Sequence, residues 1–172
     1  MYTIAVTGPE STGKSMISQY LAKMLKGLCI PEFARDYIIG INRKYNYDDL
    51  VYIGKMQVSQ RREMEKEGHD LIILDTWLII TKIWFLEVYG KCPAWVDEEL
   101  WNYPVDLYLL FEPDIPWIPD LLRENGGERR KYLFDRYLNE IIRTGVPFEI
   151  INGLEDKRYS NAFNKAKKHF LK

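Results

Sequence analysis

Hydrophobic positions along this chain fall into two alternating kinds of run. Short, nearly unbroken apolar stretches occupy residues 2–7, 28–30, 71–74, 105–111 and 148–151. Runs of that length, bounded by turn residues, are what strands buried on both faces look like. Between them, apolar residues recur every three or four positions. Met16-Ile17, Tyr20-Leu21 and Met24-Leu25 predict one helix. Residues 48–67 predict a second, with Asp48 as N-cap and Gly68 just past its end. Two more are predicted over residues 77–89, stopped by Gly90, and 129–143, with Tyr132-Leu133, Tyr137-Leu138 and Ile141-Ile142 on one side. A closing helix begins near Lys157, and its Lys165, Lys167, Lys168 and Lys172 form a solvated face. Residues 112–120 read as a proline-rich loop and Asn152-Gly153 as a turn. Strand alternates with helix, without repeat or low-complexity linker. That predicts one α/β domain over residues 1–172: a five-stranded parallel sheet between two helical layers.

The chemistry gathers at the carboxyl ends of the predicted strands. Gly8-Pro9-Glu10-Ser11-Thr12-Gly13-Lys14-Ser15 fits G-x-x-x-x-G-K-[ST] and joins the first strand to the first helix. A glycine loop opening a helix makes an anion site from backbone N–H groups and the helix dipole. Lys14 adds a point charge for the β- and γ-phosphates of ATP, and the Ser15 hydroxyl a ligand for Mg²⁺. The expected fold is therefore a P-loop NTPase three-layer sandwich. Asp75 ends the third apolar run, where an acid reaches Mg²⁺ directly or through water. An acid at a strand end is also a common turn residue.

Pro31-Glu32-Phe33-Ala34-Arg35-Asp36-Tyr37 follows the second run. Ligands of open α/β sheets bind at the carboxyl ends of strands. A small-molecule kinase needs a carboxylate there to orient, and to deprotonate, the attacking hydroxyl. Glu32 is best placed, with Asp36 four residues further if a helix starts here; the choice between them stays open. Arg35 would neutralise one of them or hold substrate or phosphate, and a surface salt-bridge cluster is the competing reading. Arg123, Arg129 and Arg130 bracket Glu124-Asn125-Gly126-Gly127-Glu128. Paired glycines in a charged loop suggest a lid over about residues 120–131, with arginines that close on the phosphates; a solvated loop has the same composition. Trp77, Trp84 and Trp117 fall near the same edge and, with Tyr37, are candidate faces for a flat or cationic ring. Core packing is the commoner use of such rings. Gly153, after the last strand, would let the backbone approach adenine.

Composition narrows the partners. Lys and Arg number 24 against 25 Asp and Glu, so no basic field argues for nucleic acid or a membrane surface. Cys29 and Cys92 do not make a disulfide framework, nor a metal cluster with His69 and His169, and a reducing cytoplasmic location is expected. The longest apolar stretch, residues 71–80, is interrupted by Asp75 and too short to span a bilayer. The start lacks the basic segment of a signal peptide. No N-K-x-D, H-R-D or D-F-G set is present, which argues against a GTPase switch and a protein kinase. A small-molecule partner is expected, and the oligomeric state is left open. Two alternatives stand beside a nucleoside kinase: a nucleotide-binding regulatory module with little turnover, and a kinase for another nucleoside or a sugar.

Several segments then carry a resemblance. They are G-P-E-S-T-G-K-S at 8–15, P-E-F-A-R-D-Y at 31–37, L-D-T at 74–76 ahead of T-K-I-W at 81–84, and P-D-I-P-W-x-x-D-x-L-R at 113–123. In this order, over nearly the whole chain, they resemble the NadR-type ribosylnicotinamide kinase domain, itself similar to the small P-loop nucleoside and nucleotide kinases. The resemblance implies ATP- and Mg²⁺-dependent phosphorylation of the 5′-hydroxyl of nicotinamide riboside, a step of NAD biosynthesis giving nicotinamide mononucleotide. Full-length NadR proteins carry a nucleotidylyltransferase domain ahead of the kinase. This chain opens on the first kinase strand, so that second activity is not expected. Two positions depart from the family pattern. Trp77 stands where an acid is often found two residues after the strand-ending Asp, and Asp120-Leu121-Leu122-Arg123 stands where D-G-L-R is common.

Overall fold

The computed structural model describes residues 1–120 and 122–171. Leu121, in the second departing segment and inside the predicted lid, and Lys172, among the closing lysines, lie outside the described residues. Five parallel strands form one sheet: β1 (Tyr2–Thr7), β2 (Leu28–Ile30), β3 (Leu71–Asp75), β4 (Leu107–Phe111) and β5 (Phe148–Ile151), in the order β2-β3-β1-β4-β5. β1 is central, with Ile4 beside Ile73 on one flank and Leu107 on the other. Successive strand residues point to opposite faces, so one apolar run feeds two cores. Ala5, Ile72, Leu74, Tyr108 and Leu110 join the core beneath α3 (Tyr47–Lys66), α4 (Leu78–Tyr89) and α6 (Glu128–Thr144). Ile4, Val6, Ile73, Leu107 and Leu109 join the core beneath α1 (Lys14–Leu25) and α7 (Glu155–Phe170). This is the P-loop three-layer sandwich that the alternation predicts. The strand order reverses beside β1, which opens a crevice at its carboxyl end.

Boundaries differ where side-chain bonds outrank periodicity. The N-cap of α3 lies two residues early, at Asn46 and not Asp48. The Asn46 side chain accepts from Asp49 N at 3.1 Å, and Asp49 Oδ2 accepts from Asn46 N at 2.7 Å, a reciprocal capping box. Trp77 is the N-cap of α4 and not its first helical residue. Two helices lacked a firm periodic signal, α2 (Phe33–Gly40) and α5 (Ala94–Asn102). α2 buries only Ala34, and α5 only Val96 and Leu100, too little to stand out as a stripe. No described helix is long and apolar enough to cross a membrane.

Candidate active site

The glycine loop is shaped by contacts that leave little choice of residue. A Cβ on Gly8 would lie 2.8 Å from Phe111 O, so β1 and β4 can converge only over a glycine. Gly13 caps α1 in the left-handed region, at φ 81°. α1 has no acidic residue in its first turn, so its N–H groups remain available to a phosphate. Inside the loop the Pro9 carbonyl accepts from Thr12 Oγ1 at 2.9 Å and from Lys14 Nζ at 2.8 Å. Outside it, two buried guanidinium groups hold successive carbonyls. Arg130 Nη2 donates to Ser11 O and Arg158 Nε to Thr12 O, both at 3.0 Å. Arg158 also donates to Glu112 O and Gly153 O, and pairs with Asp114. Arg130 thus braces the loop from outside the cavity and is not one of the arginines facing it. Arg158 escaped the sequence reading, because a charged residue on an amphipathic helix reads as solvated until the fold buries it. Gly153 donates its N–H to Asp114 Oδ2 at 2.7 Å and lies off the cavity.

Three ionisable groups face one another at the loop. Burial lowers the Lys14 ammonium from its ordinary pKa, although Glu32, Asp75 and Glu10 pull it back up. Burial raises the Glu32 carboxyl, offset in part by Lys14. Burial also raises Asp75, against the Ser15 hydroxyl and Lys14, which favour its charged form. Glu32 stands on the cavity wall as the N-cap of α2, directly after Pro31. Asp36, one turn on, is exposed and off the wall, so the structure separates the two carboxylates that the sequence left together. Thr76, next to Asp75, holds φ 73°, an unfavourable value for a β-branched residue, with its N–H on Val6 O at 3.1 Å.

The implied Mg²⁺ fits these donors. Asp75 is 4% exposed and its Oδ1 has no hydrogen-bond partner among the described residues. With the Ser15 hydroxyl beside it, that oxygen offers the hard ligands Mg²⁺ takes when phosphates and water complete its shell. No described group of three His, Cys, Asp or Glu residues could hold a metal by itself. Asp75→Asn is expected to raise the Mg²⁺ midpoint of turnover by about tenfold or more. A Mg²⁺ titration with an unchanged midpoint would leave Asp75 as a turn residue.

The remaining candidates divide cleanly. Gly8, Glu10, Ser11, Thr12, Gly13, Lys14 and Ser15 line one cavity of about 620 Å³ with Glu32, Arg35, Trp84, Arg123 and Arg129. Trp77 does not belong there. It is 1% exposed in the core, with the Arg61 guanidinium 5.1 Å above its ring. Trp117 packs its ring against Gly126, and Tyr37 donates its hydroxyl to Asp49 Oδ1 at 2.8 Å; neither lines the cavity. One ring on the cavity wall that the sequence reading missed is Tyr45, in the loop before α3. It meets Trp84 edge-on, with centroids 4.9 Å apart and planes at 76°, and its hydroxyl accepts from Trp84 Nε1 at 3.1 Å. In the segment that the sequence suggests as a lid, Arg129 is held by Glu87 at 2.5 Å and Arg123 by Asp120 at 3.2 Å, and the same Asp120 holds Arg35 of α2 at 2.9 Å. Asn125 donates its backbone and side-chain N–H groups to Glu10, which fastens that segment to the glycine loop.

Strand order, a glycine loop between β1 and α1, and an acid ending the neighbouring strand define a P-loop fold, the fold shared by solved nucleoside and nucleotide kinases. Residues 3–158 match the AAA domain family, and the chain belongs to that family. It is homologous to the trifunctional NAD biosynthesis/regulator protein NadR of Salmonella typhimurium, at 26% identity over 145 residues. The match covers 82% of this chain but 35% of that protein, so the chain spans about a third of the curated relative's length. Two solved structures of NadR protein share the fold at 20% identity, each over 98% of this chain. One, in complex with NR, has a TM-score of 0.79 over 50% of its chain; the other, in complex with NAD and AMP-PNP, has 0.75 over 49%.

Proposed function

We propose that this chain is a kinase domain, with residues 120–131 as its lid, that transfers the γ-phosphoryl group of ATP to the 5′-hydroxyl of nicotinamide riboside. One observation carries the reading: a single cavity joins the glycine loop, Lys14 and Glu32 to the aromatic pair Tyr45–Trp84. In the transfer the acceptor oxygen bonds to the γ-phosphorus while the bond to the β–γ bridging oxygen breaks, and ADP leaves. Glu32 takes the proton of the hydroxyl. Because the transition state is loose, the protein contributes mainly position and charge. Lys14 meets the charge of the transferred group, and Arg123 and Arg129 join it when they leave Asp120 and Glu87. Mg²⁺, held by Ser15 and Asp75, would neutralise the phosphates when bound.

The acceptor assignment rests on the aromatic pair and on the homology with NadR. Nicotinamide riboside carries a fixed positive charge on a flat ring. Trp84 is pinned by its bond to Tyr45 and presents ring surface to the cavity at no further ordering cost. Trp77, the residue behind the binding-module alternative, is core packing and does not line the cavity. An acceptor panel with saturating ATP and Mg²⁺, read by mass spectrometry, tests the reading. Cation–π contact predicts turnover of nicotinamide riboside about two- to thirtyfold above uridine, cytidine or thymidine. A neutral nucleoside phosphorylated as efficiently would overturn the acceptor. Tight ATP binding without transfer to any hydroxyl would favour the binding module.

A further inference from the structure

We infer that Asp49 is a positioning residue whose buried carboxylate latches residues 41–46, and with them Tyr45, against the acceptor part of the cavity. The inference rests on the acceptor reading above. Asp49 does not line the cavity; it sits in the first turn of α3, 4% exposed. Its carboxylate accepts four hydrogen bonds. Oδ2 takes Arg43 Nη1 at 2.6 Å and Asn46 N at 2.7 Å, and Oδ1 takes Arg43 Nη2 and the Tyr37 hydroxyl, each at 2.8 Å. Only the Asn46 bond belongs to the capping box, so helix capping does not account for the other three. The Arg43 fork is the two-pronged geometry that holds a carboxylate most firmly. It is also the leading reason that the Asp49 carboxyl is held well below the usual range.

The topology of these bonds gives the latch its function. Residues 41–46 belong to no helix or strand, so side-chain bonds decide where they stand. Arg43 and Asn46 tie the segment to one carboxylate from both sides of Lys44 and Tyr45, and Tyr37 ties in α2. Lys44 and Tyr45 both line the cavity, and Tyr45 is the partner that fixes Trp84. Tyr37, the last residue of the P-E-F-A-R-D-Y segment, therefore acts on the acceptor through Asp49 and not as a ring face.

Asp49→Asn keeps the size of the side chain but turns an acceptor oxygen into an N–H that faces existing donors. Two readouts test the latch. Tryptic cleavage after Arg43 and Lys44 under native conditions should quicken about tenfold, while cleavage within α3 at Lys55 and Arg62 stays slow. The KM for nicotinamide riboside should rise about tenfold with the KM for ATP unchanged. Tyr37→Phe, which deletes one bond of the four, should move both readouts the same way by a smaller factor. If circular dichroism shows that Asp49→Asn does not fold, Tyr37→Phe and Arg43→Gln carry the test, read at Lys44. Unchanged cleavage at these sites in a folded variant, or acceptor and ATP KM rising in step, overturns the latch. If the wild type phosphorylates no acceptor, the functional reading fails separately, and cleavage at Arg43 and Lys44 alone decides.

Discussion

Lys14→Ala is expected to lower phosphoryl transfer at least ~10²-fold, the scale set by removing one preorganised charged donor from a transition state. The fold should not suffer. Lys14 Nζ donates to Pro9 O, but that carbonyl keeps its bond from Thr12 Oγ1 when the lysine is cut back. Burial lowers the pKa of Lys14, so its charged form is disfavoured in the folded state at neutral pH, and alanine relieves that penalty. The sign is fixed by the direction of the shift. A lowered lysine binds fewer protons folded than unfolded, so the wild type loses stability as pH falls from the ordinary lysine range toward the folded value. A melting temperature equal to or above wild type, with turnover lost, is the expected pair of results. Near-wild-type turnover in a folded Lys14→Ala protein would remove Lys14 from the mechanism.

The parts of the fold that could be read in advance are those where one local rule has no rival. An unbroken apolar run such as residues 71–74 has few uses except a strand covered on both sides, and β3 is buried throughout. Gly8 and Gly13 could be assigned from the fixed spacing of G-x-x-x-x-G-K-[ST]; the structure puts Gly8 against Phe111 and Gly13 in the left-handed turn into α1. What stayed hidden was decided by partners far away in the chain. Trp77 and Trp84 look alike in the sequence, yet one faces α3 in the core and the other the cavity, because Trp77 is the extended N-cap ahead of α4 whereas Trp84 sits inside the helix. Tyr45 sits in a segment with no periodicity, and the ring it bonds, Trp84, is 39 positions away. Arg158 lies 146 positions from the Thr12 carbonyl it holds. The N-cap of α3 is the exception, a local miss: Asp48 was read as the cap, and the reciprocal bond with Asp49 chose Asn46.

Glu32→Gln and Asp36→Asn separate the two acids that the sequence left together. Glu32 lines the cavity and is felt by both Lys14 and Asp75, whereas Asp36 is exposed and off the wall. Glu32→Gln should therefore lower turnover by about 10² to 10⁴, the range of general-base assistance, and Asp36→Asn should leave it near wild type. A looser transition state would place the result toward the lower end of that range. The pH dependence carries an independent signature. Burial raises the Glu32 carboxyl, so its ionised form is disfavoured on folding; the stability the protonated form retains is complete below the ordinary glutamate range and is lost as pH rises through the raised value. Glutamine has no such loss. The melting temperature of Glu32→Gln should match wild type in acid and exceed it at neutral pH, while its turnover no longer climbs with pH as the wild type's does when Glu32 ionises. A variant that is less active, less stable at neutral pH and unchanged in the shape of its pH profile would make Glu32 a structural cap of α2. If Asp36→Asn cripples transfer and Glu32→Gln does not, the base assignment is reversed.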